Sequence, residues 1–294
     1  MPDAREFFEL ALGYEASGSH DRALSFFARS RDATSDAVIQ AQSWRHEADI
    51  YRTRCDWDHA LGAARRSADV AQAAGLIDEF AEAVNAEAAV YHTRGDFARA
   101  SALYRRILDL NVDDRVRGIA YQNVGLVSLQ SGQPREAEHF FHKSIDCFRR
   151  AGYARGETIA LINHGRSRLE QGDAEAAQPI FREAEQRALK LGDLELLAMA
   201  RINYAEALLE SGGSDRAFDL ICTALGHFDS TGNDYRRVEC LRMLGDIHRR
   251  GGQVDEARGC YEHACQIAKK IDARAELDVL RQRLELIAPA EPAS

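Results

Sequence analysis

The sequence predicts an all-α solenoid of about seven helix pairs followed by a C-terminal capping helix. Three observations predict this fold: a motif recurs with a period of 37 or 40 residues, a glycine stands at its centre, and small residues flank that glycine at fixed distances. A period of this length is typical of stacked helical repeats. One helix pair cannot bury its apolar face alone, so neighbouring pairs are expected to stack along one continuous core.

Each copy of the motif predicts two helices joined by a tight turn. A small residue is followed seven positions later by the turn glycine, five later by a second small residue, and four later by an aromatic or bulky residue. Small side chains let two helices approach closely, and glycine permits the positive φ of the turn. The seven copies are Ala11, Gly18, Ala23, Phe27; Ala48, Cys55, Ala60, Ala64; Ala88, Gly95, Ala100, Tyr104; Gly125, Gly132, Ala137, Phe141; Gly165, Gly172, Ala177, Phe181; Ala205, Gly212, Ala217, Ile221; and Gly245, Gly252, Ala257, Tyr261.

This pattern resembles the tetratricopeptide repeat over roughly residues 3–270, and it fits best over residues 125–137 and 163–177. The resemblance implies a right-handed superhelix. The usual period of that family is about 34 residues, so this chain is similar to its longer-repeat members. These include kinesin light chains, the regulatory parts of large bacterial transcription activators, and Rap-type peptide receptors, and the last two imply a bacterial protein. Further glycines at the joints between pairs are natural helix stops: Gly75, Gly152, Gly192 and Gly232.

The repeats predict a single solenoid domain over residues 1–287 and a disordered tail over residues 288–294. The tail contains two of the five prolines. The predicted repeats lie near residues 3–33, 36–73, 76–110, 113–151, 153–191, 193–231 and 233–270, and the capping helix lies at 272–287.

Composition restricts the classes of partner. The net charge is −9 without a basic run, and nucleic-acid binding needs clustered Lys and Arg, so we expect no direct nucleic-acid contact. No apolar run of membrane-spanning length and no signal peptide stand in the sequence, so no membrane segment is expected. The six cysteines form no C-x-x-C pair, which favours reduced thiols and a cytoplasmic protein.

No set of residues in the sequence indicates a catalytic site. The sequence contains no phosphate-binding glycine loop, no H-E-x-x-H and no G-x-S-x-G. We therefore expect a protein that is not an enzyme and that needs no metal or cofactor.

Asparagines recur on the predicted first helices. Asn123, Asn163 and Asn203 each stand nine positions before a turn glycine, and Asn85 stands ten before. The resemblance implies that this position faces a concave groove and that asparagine there holds the backbone of an extended peptide. A carboxamide suits this task because it offers a donor and an acceptor together. Alternatively, each asparagine bonds only a neighbouring helix or water.

Other first-helix residues are candidates for specificity. Arg166 is placed to hold a peptide carboxylate, and Tyr204 to contact a side chain. Positive charge toward the two ends of the groove comes from Arg45, Arg52, Arg242 and Arg249. The alternative interpretation of each charge is an ordinary solvated helix face.

Four polar residues occupy predicted apolar positions: Glu47, Glu87, His164 and Arg168. A buried carboxylate is costly unless it is paired, so ion pairs with nearby arginines are expected. A pH-sensitive joint through His164 is the alternative.

Three functions remain open. The first is a scaffold or adaptor that binds a peptide or protein segment in the groove. The second is a ligand- or peptide-responsive sensor that controls an effector. The third is a self-assembling structural protein, and homo-oligomers are compatible with all three.

Overall fold

The structure is a computed structural model that describes residues 3–287, so the predicted disordered tail lies outside the described residues. This part of the chain contains fifteen α-helices and no strand. In chain order they are α1 Ala4–Ala16, α2 His20–Asp32, α3 Ala37–Thr53, α4 Trp57–Ala73, α5 Ile77–Thr93, α6 Phe97–Leu108, α7 Asp114–Gln130, α8 Pro134–Arg150, α9 Ala154–Glu170, α10 Ala174–Leu191, α11 Leu194–Glu210, α12 Ser214–Thr231, α13 Asp234–Arg250, α14 Val254–Lys270 and α15 Arg274–Glu285. Each predicted repeat interval contains two of these helices.

The internal contacts divide the chain into two compact units, residues 1–160 and 161–294. Unit 1 holds α1 to α8 and the beginning of α9, and unit 2 holds the rest of α9 and α10 to α15. Each unit is described by itself below. The single-domain organisation stays a prediction.

The predicted turns are confirmed, including the one without glycine. Gly95, the turn residue of the third repeat, has φ 80°, and Cys55 in the same position of the second repeat has φ 58°. Left-handed backbone is easily reached by glycine but disfavoured for residues with a Cβ atom. The motif therefore determines the backbone at Cys55 even though the residue type does not favour it.

Aspartates directly after several turns begin the following helices. The side chains of Asp56, Asp96 and Asp173 accept hydrogen bonds from backbone N–H groups three residues ahead. A capping aspartate satisfies one of the unpaired N–H groups of a helix start. The turn residue thus ends one helix and the aspartate begins the next, with only three residues between the two helices.

Unit 1 is held together by rings packed against small residues. Phe141 is fully buried, and its ring would lie 2.7 Å from a Cβ atom added at Gly125, so only glycine allows this approach of α7 to α8. Ser144 donates a hydrogen bond of 2.8 Å from Oγ to the backbone carbonyl of Gly118. Ser30 and Ser67 make the equivalent bond to carbonyls 26 residues earlier in the chain.

Unit 2 repeats this packing. Phe181 lies against Gly165, and Tyr261 lies against Gly245; added Cβ atoms would stand 2.5 Å and 2.4 Å from the two rings. At the C-terminal end, Leu277 and Leu280 of α15 join the buried cluster formed with α13 and α14.

The longest helices of the described chain, α10 and α12, contain 18 residues each. A membrane-spanning helix needs about 20 mostly apolar residues. None of the helices within residues 3–287 is long and apolar enough to span a bilayer.

Candidate functional site

The first helices of repeats two, three and four, α3, α5 and α7, line a cavity of about 280 Å³ in unit 1. We call it the α3–α5–α7 cavity. Its wall includes Arg45 and Asp49 of α3, Glu82 and Asn85 of α5, and Arg115 of α7. Two of the predicted groove residues, Asn85 and Arg45, therefore lie in one cavity.

Asn123 is joined to this wall through Asn85. Its Nδ2 donates a hydrogen bond of 2.7 Å to Oδ1 of Asn85, and both side chains are half-buried. Among residues 3–287 neither amide has another side-chain hydrogen bond. One NH₂ group and one carbonyl oxygen remain available, and reversing both amides would leave the same pair of groups.

Charged groups in the cavity pair with each other. Arg45 forms an ion pair with Glu82, and Arg115 lies 3.9 Å from the same carboxylate. Burial lowers the pKa of Arg45, although Glu79 and Asp49 act against this shift. Since arginine titrates far above neutral pH, Arg45 stays charged. The carboxylates of Glu82, Asp49 and Glu79 thus offset the charge of Arg45, while Arg115 is 53% exposed and only loosely paired with Glu82.

Arg52 does not line the cavity and is paired with a residue of its wall. Its guanidinium donates to Oδ1 of Asp49 at 3.1 Å and 3.2 Å, within the same helix. Asp49 also lines the cavity. Arg52 therefore neutralises a wall residue.

Unit 2 places the later asparagines differently. Nδ2 of Asn203 donates 2.8 Å to the backbone carbonyl of Met199 in its own helix. Asn163 is 8% exposed, and Tyr204 is also 8% exposed. Asn163 and Tyr204 are therefore less accessible than the asparagine pair of unit 1, and Asn203 already has a partner.

Arg166 is exposed and lies among carboxylates. It lines a cavity of about 160 Å³ with Leu169, Glu170, Glu206 and Glu210. The pKa of Glu206 is raised by loss of hydration in this recess and then by the like charge of Glu210, while Arg166 acts in the opposite sense. Unit 2 therefore supplies its own carboxylates to Arg166. The acidic residues were visible in the sequence, but their convergence was not predicted.

Arg242 belongs to a network centred on Asp246. Its guanidinium lies 3.8 Å from Asp246 and 3.8 Å from Glu276 of α15. Arg249 and Arg283 also approach Asp246, at 3.9 Å and 3.0 Å. Arg242 therefore helps to attach the last helix of unit 2.

Three of the polar residues at apolar positions have ionic partners, as the ion-pair interpretation predicted. Glu47 is buried and bonds Arg31, and Glu87 bonds Arg65 at 2.9 Å. Arg168 lies 3.7 Å from Asp173. The fourth residue, His164, is buried.

A family model for the tetratricopeptide repeat-like domain matches residues 90–288, about two thirds of the chain. The chain belongs to this family. Within the match lie the first helices α7, α9, α11 and α13. The paired helices are therefore a family property.

A curated relative has a regulatory name. The regulatory protein AfsR of Streptomyces griseus is 25% identical over 262 residues, which cover 76% of this chain and 26% of AfsR. The chain thus spans about a quarter of the length of that relative.

Solved structures share the fold. The apo form of RapI has a TM-score of 0.69 at 14% identity, covering 92% of this chain and 99% of RapI. A Rap protein complexed with competence and sporulation factor has a TM-score of 0.59 at 13% identity, covering 97% of this chain and 74% of that protein. At these identities the likeness establishes the helical-repeat fold.

Proposed function

We propose that this chain is a protein-interaction module that binds an extended peptide or protein segment along its first helices, with the α3–α5–α7 cavity as the principal site. The observation that supports this most is the Asn85–Asn123 pair. It keeps an amide donor and a carbonyl acceptor available beside the loosely paired guanidinium of Arg115. A peptide unit needs one acceptor and one donor in return.

The exposed guanidinium of Arg115 favours a segment with an acidic residue or a terminal carboxylate. Arg45 forms an ion pair with Glu82, while the guanidinium of Arg115 lies 3.9 Å from the same carboxylate and is 53% exposed. Arginine binds carboxylates through charge-assisted hydrogen bonds. An incoming carboxylate would complete the pairing of the second guanidinium.

In unit 2 we propose a secondary binding surface of that unit, formed by Asn163, Asn203, Arg166, Tyr204 and Arg242. Asn203 and Arg242 already have partners within the unit. Their contribution is therefore expected to be smaller than that of the unit 1 pair. We propose a cytoplasmic protein that acts by binding, without catalysis, nucleic-acid contact or a membrane.

A peptide selection with site mapping tests the principal site. Peptides enriched from a random library on the full chain are resynthesised with a photoreactive benzoylphenylalanine, crosslinked, and located by mass spectrometry. Crosslinks on α3, α5 and α7 that disappear in Asn85→Ala/Asn123→Ala are the expected result. Asn111→Ala, in the loop after α6, is the matched control and should leave them unchanged. Crosslinks elsewhere that survive the double variant contradict the proposal.

A regulatory sensor is the second candidate, because the curated relative is a regulatory protein and one structural neighbour was solved in complex with competence and sporulation factor. A sensor must bind its ligand differently in two conformations. Small-angle X-ray scattering with and without a selected peptide separates the two functions. A change in the radius of gyration supports the sensor, and an unchanged radius at saturation supports a passive scaffold.

A further inference from the structure

Unit 1 contains a second cavity, of about 390 Å³, between α2, α3 and α4. We call it the α2–α3–α4 pocket. Its wall includes Arg31, Trp44, Tyr51, Ala63 and Arg66, and it shares no lining residue with the α3–α5–α7 cavity. The corresponding positions of two other repeats explain why this space exists.

In the fourth repeat these positions form a closed aromatic stack. Tyr121 precedes the turn residue Gly132, and Phe140 and Lys143 follow it. The two rings stack with centroids 6.2 Å apart and planes at 24°. The ammonium group of Lys143 lies 5.3 Å from the Tyr121 ring.

The first repeat has the same arrangement at the same offsets from its own turn glycine. Phe7 and Phe26 occupy the two ring positions with centroids 6.1 Å apart. The guanidinium of Arg29 lies 4.2 Å from the Phe7 ring. A ring, a second ring and a cation over them are thus a recurring unit of this chain, and such contacts are favourable beyond the area that they bury.

The second repeat lacks the second ring. Trp44 takes the first position and Arg66 the cation position, with its guanidinium 4.8 Å from the Trp44 ring. Ala63 stands where Phe26 and Phe140 stand in the other repeats, and it lines the cavity. The pocket therefore lies where the other two repeats have an aromatic side chain. Trp44 and Arg66 supply the other two members of the unit, a ring and a cation.

One cation on the wall, Arg66, is placed to attract an anionic occupant. Arg31 contacts the Trp44 ring at 3.6 Å, but its charge is paired with buried Glu47. Arg66 forms no hydrogen bond and no direct ion pair among residues 3–287, and it acts on Glu47 only through space. Asp58 lies on the wall as well, so the attraction is local to Arg66.

We propose that the α2–α3–α4 pocket binds a small aromatic carboxylate. The ring stacks on Trp44 in the position that Phe140 fills against Tyr121, and the carboxylate bonds Arg66. The volume supports a free small molecule, since ligand pockets measure about 300–1,000 Å³ and a cavity of about 150 Å³ already holds benzene. This site is separate from the α3–α5–α7 cavity.

Tryptophan emission provides a direct assay. The chain contains two tryptophans, so Trp57→Phe leaves Trp44 as the reporter. Titration with phenylacetate should change its emission saturably, with a Kd on the order of 0.1–1 mM for a ligand of this size. Cyclohexylacetate, which has the same charge without the aromatic ring, should bind several-fold more weakly.

Variants distinguish the pocket from non-specific binding. Ala63→Phe supplies the missing ring and should weaken phenylacetate binding at least about tenfold while raising the thermal midpoint. Arg66→Gln should weaken it about two- to fivefold. Lys143→Gln, at the same position of a repeat whose ring is present, is the matched control and should have no effect, as should Asn85→Ala/Asn123→Ala.

Several results would overturn the proposal. They are wild-type affinity in a folded Ala63→Phe variant, equal affinity for cyclohexylacetate, or no saturable change in emission up to about 10 mM phenylacetate. Tighter binding of N-acetylphenylalaninamide than of phenylacetate would also overturn it, because the pocket would then suit an aromatic side chain of a protein rather than an aromatic acid.

Discussion

Asn123 donates a side-chain hydrogen bond of 2.7 Å to Asn85 and so links the first helices of two consecutive repeats, α7 and α5. The two residues are 38 positions apart in the chain. Their pairing uses one N–H donor of Asn123 and one lone pair of the Asn85 oxygen. The proposed peptide site depends on the groups that remain.

Adding one methyl group at Gly165, which contacts the Phe181 ring in unit 2, should destabilise the protein. Gly165→Ala would place Cβ 2.5 Å from the Phe181 ring. Overpacking of about 1–3 kcal/mol should exceed the gain in helix propensity of up to about 1 kcal/mol, so the thermal midpoint should fall. Gly226→Ala is the matched control, since nothing lies within 4 Å of its added Cβ. It should raise the midpoint; a fall in both variants would contradict the packing argument.

Replacing Cys55 with glycine should stabilise the folded protein. Its φ of 58° is disfavoured by about 1–2 kcal/mol in a residue with a Cβ atom, while the extra chain entropy of glycine costs about 0.5–1 kcal/mol. Cys55→Gly is expected to increase the free energy of unfolding by about 0.5–1 kcal/mol in urea denaturation. Gly95→Ala, the reverse change at the same repeat position, should decrease it. Destabilisation by Cys55→Gly would show that the thiol makes an important contact.

The ion pair with Arg31 should be what keeps buried Glu47 from destabilising the fold. Breaking a buried ion pair costs about 3–5 kcal/mol, so Arg31→Met should lower the free energy of unfolding by that order. Arg65→Met removes the partner of Glu87 at the equivalent position of the next repeat. Since Arg65 is 57% exposed, the expected cost there is only about 0–1 kcal/mol. Equal losses in the two variants would contradict this.

The loss in Arg31→Met should also depend on pH. Burial already raises the pKa of Glu47, and Arg31 opposes the shift, so removing Arg31 raises the pKa further. A carboxyl group with a raised pKa in the folded state binds a proton on folding, and stability therefore falls as pH rises through that pKa. Denaturation at pH 5 and pH 8 should show the larger loss at pH 8. Arg31→Met/Glu47→Gln should remove the added dependence; a pH-independent loss would refute it.

The helix pairs could be predicted from the sequence because they depend on local rules. The turn position forces positive φ even at Cys55, and the pairing of Gly125 with Phe141 follows from one small and one large residue at a fixed separation. Repetition multiplied these weak signals. The family match and the structural likeness then confirmed the fold.

The site was predicted only in part, because long side chains choose partners in three dimensions. Asn85 and Arg45 lie in one cavity, but Arg52 bonds Asp49 in its own helix and Arg242 approaches the capping helix. Asn203 bonds its own backbone. Spacing assigns each of these residues to a helix face without deciding which partner it reaches.

The pocket at Ala63 could have been found by aligning the repeats at a position outside the motif. Phe26 and Phe140 stand at that position in two other repeats. An alanine among larger residues indicates a gap, but only the structure shows that Trp44 and Arg66 line it. Internal comparison is thus informative in repeat proteins even where single residues are not.

Calorimetric affinity of the asparagine-pair variant is the measurement that tests the central claim most directly. A library-selected peptide is titrated into wild type, Asn85→Ala/Asn123→Ala and the Asn111→Ala control. Two lost hydrogen bonds of about 0.5–1.5 kcal/mol each predict affinity weakened roughly fivefold to a hundredfold in the double variant alone, with an unchanged circular dichroism spectrum. Equal affinity in all three proteins would contradict the claim that the remaining groups of Asn85 and Asn123 hold the peptide backbone.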